Sequence, residues 1–409
     1  MSKSVPDHLN PTALGPNRGD PWRRNAAACN SSERDRHDGG SDTIEAASEA
    51  QTVEWVAAAK GGHEVRTRRR GVMVKVVTLV VMAFSWPADS SATDRLFAAD
   101  EILDLTFSGP LTRLSRDPAP GAEYTGSIEL GNGQMIPVTF SKFGISRLSA
   151  CRVPCLKINV DQDLARGTPF EGHGTLRLVT PCFFGSRYDS FILLEYLAYK
   201  SYEVIAEPAL RVRLVSCRFR DVERPASEEI GLSFFLEDIG EAASRCGKQW
   251  LDIPSQSIGD LDPTQVTVLS LFQLMVGNTD WSVLSCHPGE RCCHNVAVLG
   301  AEGDRFNTLL PFDFDYAGLV DAPYALPDEQ LKIRRVTQRL YRGFCVHNDR
   351  LPAAIVLFNE KRPALEMLFS NDELPDPKAR QRAMKYITSF YDTINDHRKV
   401  KSRILGDCR

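Results

Sequence analysis

LLPFDFDYAGL (residues 309–319) sets two acids, Asp313 and Asp315, one residue apart in an otherwise apolar stretch. Read as a strand, alternation sends Asp313 and Asp315 to one face and Phe312, Phe314 and Tyr316 to the other. Two ionised carboxylates on a half-buried face repel each other and are poorly solvated, and a divalent cation resolves both problems. Hard cations such as Mg²⁺ or Ca²⁺ take oxygen ligands. The alternative is an edge strand whose two acids face solvent, and the flanking Leu309, Leu310, Leu319 and Val320 argue against it.

Upstream lies GNTDWSVLSCHPGERCCHN (residues 277–295), a polar loop behind an apolar helix carrying Val266, Leu269, Phe272 and Met275. A single Asp after a helix is usually a turn former. Here Asp280 is followed by Asn295 at the head of one strand and by Asp313 after a hairpin. In phosphoryl transfer an Asp orients or accepts the proton of the attacking hydroxyl, while an Asn and a later Asp hold the metal ions that bridge the phosphates. A third feature is independent of these two. In FILLEYLAYK (residues 191–200) Glu195 is the only acid in a turn that is apolar almost all round. Such a helix is buried, and a buried carboxylate needs a cation. Arg177, on the preceding strand TLRLV, is the expected partner, with Lys157 on the neighbouring strand as a substitute. The alternative leaves Glu195 at a solvated rim.

The chain of 409 residues is 43% hydrophobic and 25% charged, with a net charge of −4, so no global basic field points to nucleic acid. Residues 1–72 are polar, poor in apolar periodicity and read as a disordered leader or an upstream extension of the reading frame. Residues 73–92 read as a secretory signal peptide: basic residues precede an apolar run from Val76 to Phe84, and small residues end at Ala92. The alternative there is a buried strand over residues 74–81. Export agrees with eleven cysteines, ten of them beyond Ala92. The expected location is periplasmic or secreted, with no stable membrane anchor once the signal is removed.

In the mature chain, EYTGSIELGNGQMIPVTFSKFG reads as a hairpin about Gly131-Asn132-Gly133. Further strands are expected at PCLKINVD, TLRLV, ALRVRLVSCRFRD, GLSFFLEDI, HNVAVLG and NTLLPFDFDYAGL. Helices are expected from Ser186, over residues 263–276, in the RRVTQRLYRGF region (334–344), at PALEMLFS and over residues 379–394. Strands first and helices later imply an α+β fold of two lobes, with a β-rich part over 93–238 and a helical part over 239–409.

These stretches resemble the CotH-type atypical secreted kinases, in particular an uncharacterised branch of bacterial exported proteins. The resemblance runs from about residue 97 to 345. It implies a two-lobed protein-kinase-like fold using ATP and Mg²⁺ to modify an exported protein. Asp280 would be catalytic, and Asn295 and Asp313, with Asp315 beside them, would be metal ligands. Glu195 would be the helix partner. FGISR (143–147), with Gly144 and Arg147, would be a phosphate-covering turn, and FFLEDI would be the hinge. Two departures are plain: Arg177 stands where such kinases have Lys, and Phe143 precedes Gly144 where the family has Arg. They keep open a pseudokinase acting as a binding or scaffolding module. Nucleotidyl transfer also stays open, as does metal-dependent hydrolysis using Asp280, Asp313 and Asp315. For the cysteines, disulfides are expected between Cys151 or Cys155 and Cys182, and between Cys292 or Cys293 and Cys345. A zinc site from Cys286, His287, Cys292, Cys293 and His294, or a Cys nucleophile with His294 as base, are the weaker readings.

Overall fold

A computed structural model describes residues 95–119, 121–144, 147–148, 151–224, 226–286 and 291–409. The leader and the signal segment therefore lie outside the described residues, as does His287. Seven strands come first in the architecture: β1 Leu103–Gly109, β2 Tyr124–Leu130, β3 Met135–Phe143, β4 Cys155–Val160, β5 Thr175–Val179, β6 Val212–Asp221 and β7 Glu228–Leu236. They close into a barrel in the order β1-β2-β3-β4-β5-β7-β6, antiparallel except where β6 meets β1 in parallel, Leu103 opposite Val215 through Gly109 opposite Asp221. The expected hairpin is β2–β3. Alternation decides what fills the barrel: Phe107, Ile128, Phe140, Ile158, Leu176 and Phe235 are fully buried inside it.

Three further strands, β8 Gln249–Trp250, β9 Val296–Gly300 and β10 Thr308–Pro311, form a small sheet in the order β10-β9-β8. Eight α-helices occur among the described residues: α1 Leu111–Arg116, α2 Gln162–Ala165, α3 Ser186–Ile205, α4 Ile239–Arg245, α5 Pro263–Val276, α6 Leu351–Ser370, α7 Pro377–Ile394 and α8 His397–Arg403. Helix α5 begins where Asp262 accepts from the amides of Thr264 and Gln265 at 2.7 and 2.9 Å, with Pro263 in the first turn. It ends at Gly277, whose φ of 68° is left-handed and whose absent Cβ leaves room for the Tyr386 hydroxyl. Helix α7 buries Ala379, Ala383, Ile387, Phe390 and Ile394, one helical stripe, with Phe390 5.4 Å from Phe358 of α6.

The expected two-lobed, kinase-like α+β fold with a helical second part is overturned. The first seven strands make a closed mixed barrel, and a second sheet sits among the later helices. Closure rests on the β1–β6 pairing between segments about a hundred residues apart, a register that no local pattern encodes. Nor do the later helices have a core to themselves: Cys155, Val179, Leu214 and Phe234, on the outer faces of barrel strands, share one cluster with α3, α5, α6 and α7. The helix expected in RRVTQRLYRGF is absent, and residues 334–344 run as turns and irregular backbone. Tertiary contacts explain this. The Arg339 guanidinium donates to the carbonyls of Met275 and Tyr386 at 3.0 and 2.6 Å and stacks 3.6 Å from the Tyr386 ring centroid, holding the segment against α5 and α7.

Three disulfides form among the described residues. Cys151–Cys182 is as expected. The other expected pairing is corrected: Cys292 bonds Cys293, and Cys345 bonds Cys408 near the C-terminus. Residues 345–350 lie against the chain end, where the Cys345 amide donates to the Arg409 carbonyl at 2.9 Å. Among the described residues no helix is long and apolar enough to cross a membrane.

Candidate functional site

Hairpin geometry assembles the site. Because β10 pairs antiparallel with β9, Pro311 opposite Val296, the residue entering β9 and the residue leaving β10 are neighbours. Asn295 therefore meets Phe312, whose amide donates to the Asn295 carbonyl at 3.0 Å. Beyond β10 the chain turns back. Gly318 and Leu319 donate to the carbonyls of Gly277 and Val276 at 3.0 and 2.9 Å, which returns residues 312–319 to the end of α5. Asp280 leaves that same end. Three segments separate in sequence thus converge on one place.

Asp280 is held on both carboxylate oxygens. Nδ2 of Asn295 lies 3.1 Å from Oδ2 and 2.8 Å from the Asp280 carbonyl, and Nε2 of His294 lies 2.8 Å from Oδ1. Asn278 Oδ1 accepts from the Asp280 amide at 2.9 Å. Arg342 braces the loop by donating to the carbonyls of Thr279 and Trp281. The carboxylate remains 41% exposed, so an incoming hydroxyl can reach it.

The DFD strand is a correction. Strand β10 stops at Pro311, and Asp313 has a φ of 61°, in the left-handed region. Alternation within a strand does not bring the two acids together; a turn does. Phe314 anchors it, fully buried, 4.7 Å from the Tyr199 ring and 5.4 Å from that of Phe272. The Tyr199 hydroxyl accepts from the Asp313 amide at 2.8 Å. Asp315 is 2% exposed, and its Oδ2 has no hydrogen-bond partner among the described residues.

Glu195 and Tyr199 are four residues apart on α3 and so share a helix face. The cation beside Glu195 is Arg147, with Nη1 3.6 Å from Oε2, and not Arg177. Arg147 also donates to the Thr180 carbonyl at 2.7 Å. Arg177 is tied to Asp238 at 3.4 Å instead. Registry explains the difference. Lys157 and Arg177 face each other across β4 and β5 on the outside of the barrel, one repeat (roughly 7 Å) from Cys155 and Val179. Cys155 interacts electrostatically with Arg147, so Lys157 and Arg177 lie one strand repeat further along from the Arg147 neighbourhood. Lys157 is exposed, as is Gly144, whose φ is 94°.

Electrostatics follow from this crowding. Burial pushes the Glu195 carboxyl up to about 8; Arg147 opposes the shift and Asp315 adds to it. At 3.6 Å the guanidinium returns less than burial takes, so the Glu195 carboxyl stays raised, while Arg147 is raised against its own burial by Cys155, Tyr324, Glu195 and Asp315. Asp313 is pushed well above the ordinary range by burial, then by Asp315, Glu195 and Asp280. Asp315 is raised by burial, against the pull of Arg147 and a hydrogen bond from Tyr324.

Among the described residues no three His, Cys, Asp or Glu side chains are grouped so that they could hold a metal ion. The donor types are nevertheless those that hard cations take. Asp313, Asp315 and Asn295 offer oxygens, one of them the orphaned Oδ2 of Asp315, in a site burdened with excess negative charge. Tyr199 and Tyr324 were not read as site residues, and His294 was read only as a zinc ligand or as the base for a cysteine. Only Tyr199 carried a signal, its spacing from Glu195.

No protein-family model matches this chain, and no curated protein matches it significantly. The resemblance to CotH-type kinases accordingly rests on the sequence motifs, and the functional reading rests on the site.

Proposed function

We propose that the chain is an exported phosphotransferase that uses Mg-ATP to modify hydroxyl groups on a protein. The observation that carries the reading is the gathering of Asp280, Asn295, Asp313 and Asp315, with the buried Asp315 Oδ2 lacking a partner among the described residues. Asn295, Asp313 and Asp315 would hold Mg²⁺, which would supply positive charge to the phosphates. Asp280, half-exposed, accepts a hydrogen bond from the acceptor hydroxyl and takes its proton. His294 and Asn295 keep the Asp280 carboxylate oriented for that purpose. Arg147 is the fixed positive charge within the site, and Lys157 and Arg177, one strand repeat further along, are the groups an extended polyphosphate would meet. The described disulfides and the signal-like segment support a periplasmic or secreted setting.

One observation favours a second reading, a nucleotide-binding module without transfer. Arg177 is committed to Asp238, so a phosphate must compete for it.

The test uses the full chain with its disulfides formed. Thermal midpoints are measured with Mg-ATP, Mg²⁺ alone and ATP alone. Ligand at about a hundred times its Kd adds about 2.7 kcal/mol to the folded state, so a shift requiring both components is expected. Label transfer from the γ-phosphate, present in wild type and lost in Asp280→Ala, separates an enzyme from a binding module. No shift with any nucleotide refutes both readings.

A further inference from the structure

A cavity of about 220 Å³ opens at one end of the barrel, between α1, the start of β4 and the adjoining ends of β6 and β7. It shares no lining residue with the acidic site. Its floor is apolar: Leu114, Leu156 and Phe219 are buried members of the barrel core, and the Phe184 ring lies 5.4 Å from that of Phe219. The wall carries charges of both signs, Arg116, Arg152 and Arg224 with Asp221 and Glu229.

Asp221 is already engaged. It accepts from the Thr112 hydroxyl and from the amides of Thr112 and Glu223, both at 3.0 Å, with Arg224 close by. The Arg116 and Arg152 guanidiniums and the Glu229 carboxylate have no ion-pair or side-chain hydrogen-bond partner among the described residues. Opposite charges thus border one cavity with a greasy floor without pairing among the described residues. Ligand pockets have this composition: mostly apolar, with a few polar groups that fix orientation. The fork of an arginine matches a carboxylate, and a carboxylate such as Glu229 matches an ammonium. The volume is below the range of about 300–1,000 Å³ that takes drug-sized molecules, so the occupant is small.

We propose that this cavity binds a free α-amino acid with an apolar side chain. Its carboxylate would meet Arg116 and Arg152, its ammonium Glu229, and its side chain the floor of Leu114, Leu156, Phe184 and Phe219. No bond is made or broken, and the site is independent of the phosphotransfer reading.

Calorimetric titration of the full chain tests this, with L-leucine and L-phenylalanine as probes. 4-Methylpentanoate lacks the ammonium of leucine, and 3-methylbutylamine lacks its carboxylate. Each analogue is expected to bind roughly tenfold or more weakly than leucine, the loss of one charged hydrogen-bonding partner. Glu229→Gln should erase the advantage of leucine over 4-methylpentanoate, and Arg152→Gln its advantage over 3-methylbutylamine. The unliganded melting midpoint checks that each variant folds, and Arg116→Gln, on another element, repeats the carboxylate arm if Arg152→Gln does not. Absence of binding by both amino acids at millimolar concentration overturns the proposal. So does 4-methylpentanoate or the amine binding as tightly as leucine.

Discussion

Without divalent cations, the folded state should lose stability as pH rises from about 5 to about 9, and Glu195 should account for much of the loss. Folding moves this carboxyl from an ordinary 4.5 to about 8. The folded state therefore binds more protons than the unfolded chain across that interval, and stability falls with increasing pH. At about 1.4 kcal/mol for each pH unit between the two values, the full cost is about 5 kcal/mol. Asp313 and Asp315 are raised as well and act with the same sign. His347 acts with the opposite sign, since burial lowers it and its contribution is lost as pH falls. A single curve would mix these effects, so the decisive comparison is with Glu195→Gln, which mimics the protonated acid. Urea unfolding should give similar stabilities for wild type and variant near about pH 4, where Glu195 is protonated in the folded state and largely protonated in the unfolded chain as well. By about pH 9 the variant should be more stable by about 4–5 kcal/mol, the cost worked above. Parallel curves over the whole range would refute the reasoning, because Glu195 would then be ionised in the folded protein throughout.

Four further outcomes follow from the same contacts. Binding of Mg²⁺ should release protons, since ligands and neighbours held protonated by crowding must ionise; titration in buffers of different ionisation enthalpy measures the number. Phe314→Ala removes the fully buried anchor between Tyr199 and Phe272 and should cost about 3–5 kcal/mol by chemical denaturation. Gly277→Ala places a Cβ against the Tyr386 hydroxyl at a left-handed φ of 68° and should cost about 2 kcal/mol or more, with Tyr386→Phe in the same chain recovering only part. Cys151→Ser opens a loop spanning 31 residues and should cost about 3–4 kcal/mol in thermal or urea unfolding. It should also loosen Arg147, whose carbonyl accepts from the Cys151 amide at 2.9 Å.

Much of the site was legible because its members sit at element ends, where local chemistry is readable. Gly277 closing α5, Asn295 opening β9 and Pro311 ending β10 bracket the places from which Asp280 and Asp313 project. The inference that Asp313 and Asp315 share a face reached the right neighbourhood for the wrong reason. A proline at the end of β10 and a left-handed Asp313 make a turn, and turn conformation at a non-glycine residue has weak local signals. The partner of Glu195 was misassigned because strand alternation names a face of the barrel but not the segment that folds across it. Arg147 comes from the chain before β4, held by Thr180 and the Cys151–Cys182 bridge.

Periodicity, caps and turn residues by themselves determined the β2–β3 hairpin, the buried helices α3 and α5 and a cluster of acids needing compensation. Those signals act within a few residues, where propensity and side-chain alternation operate. Only the tertiary structure decided that the seven strands close through a parallel β1–β6 contact, that Cys345 reaches Cys408, and that Arg147 rather than Arg177 stands against Glu195. Each of these is a pairing between distant segments whose free energy comes from burial and register shared by the whole barrel and its surrounding helices, and no short stretch of chain contains it.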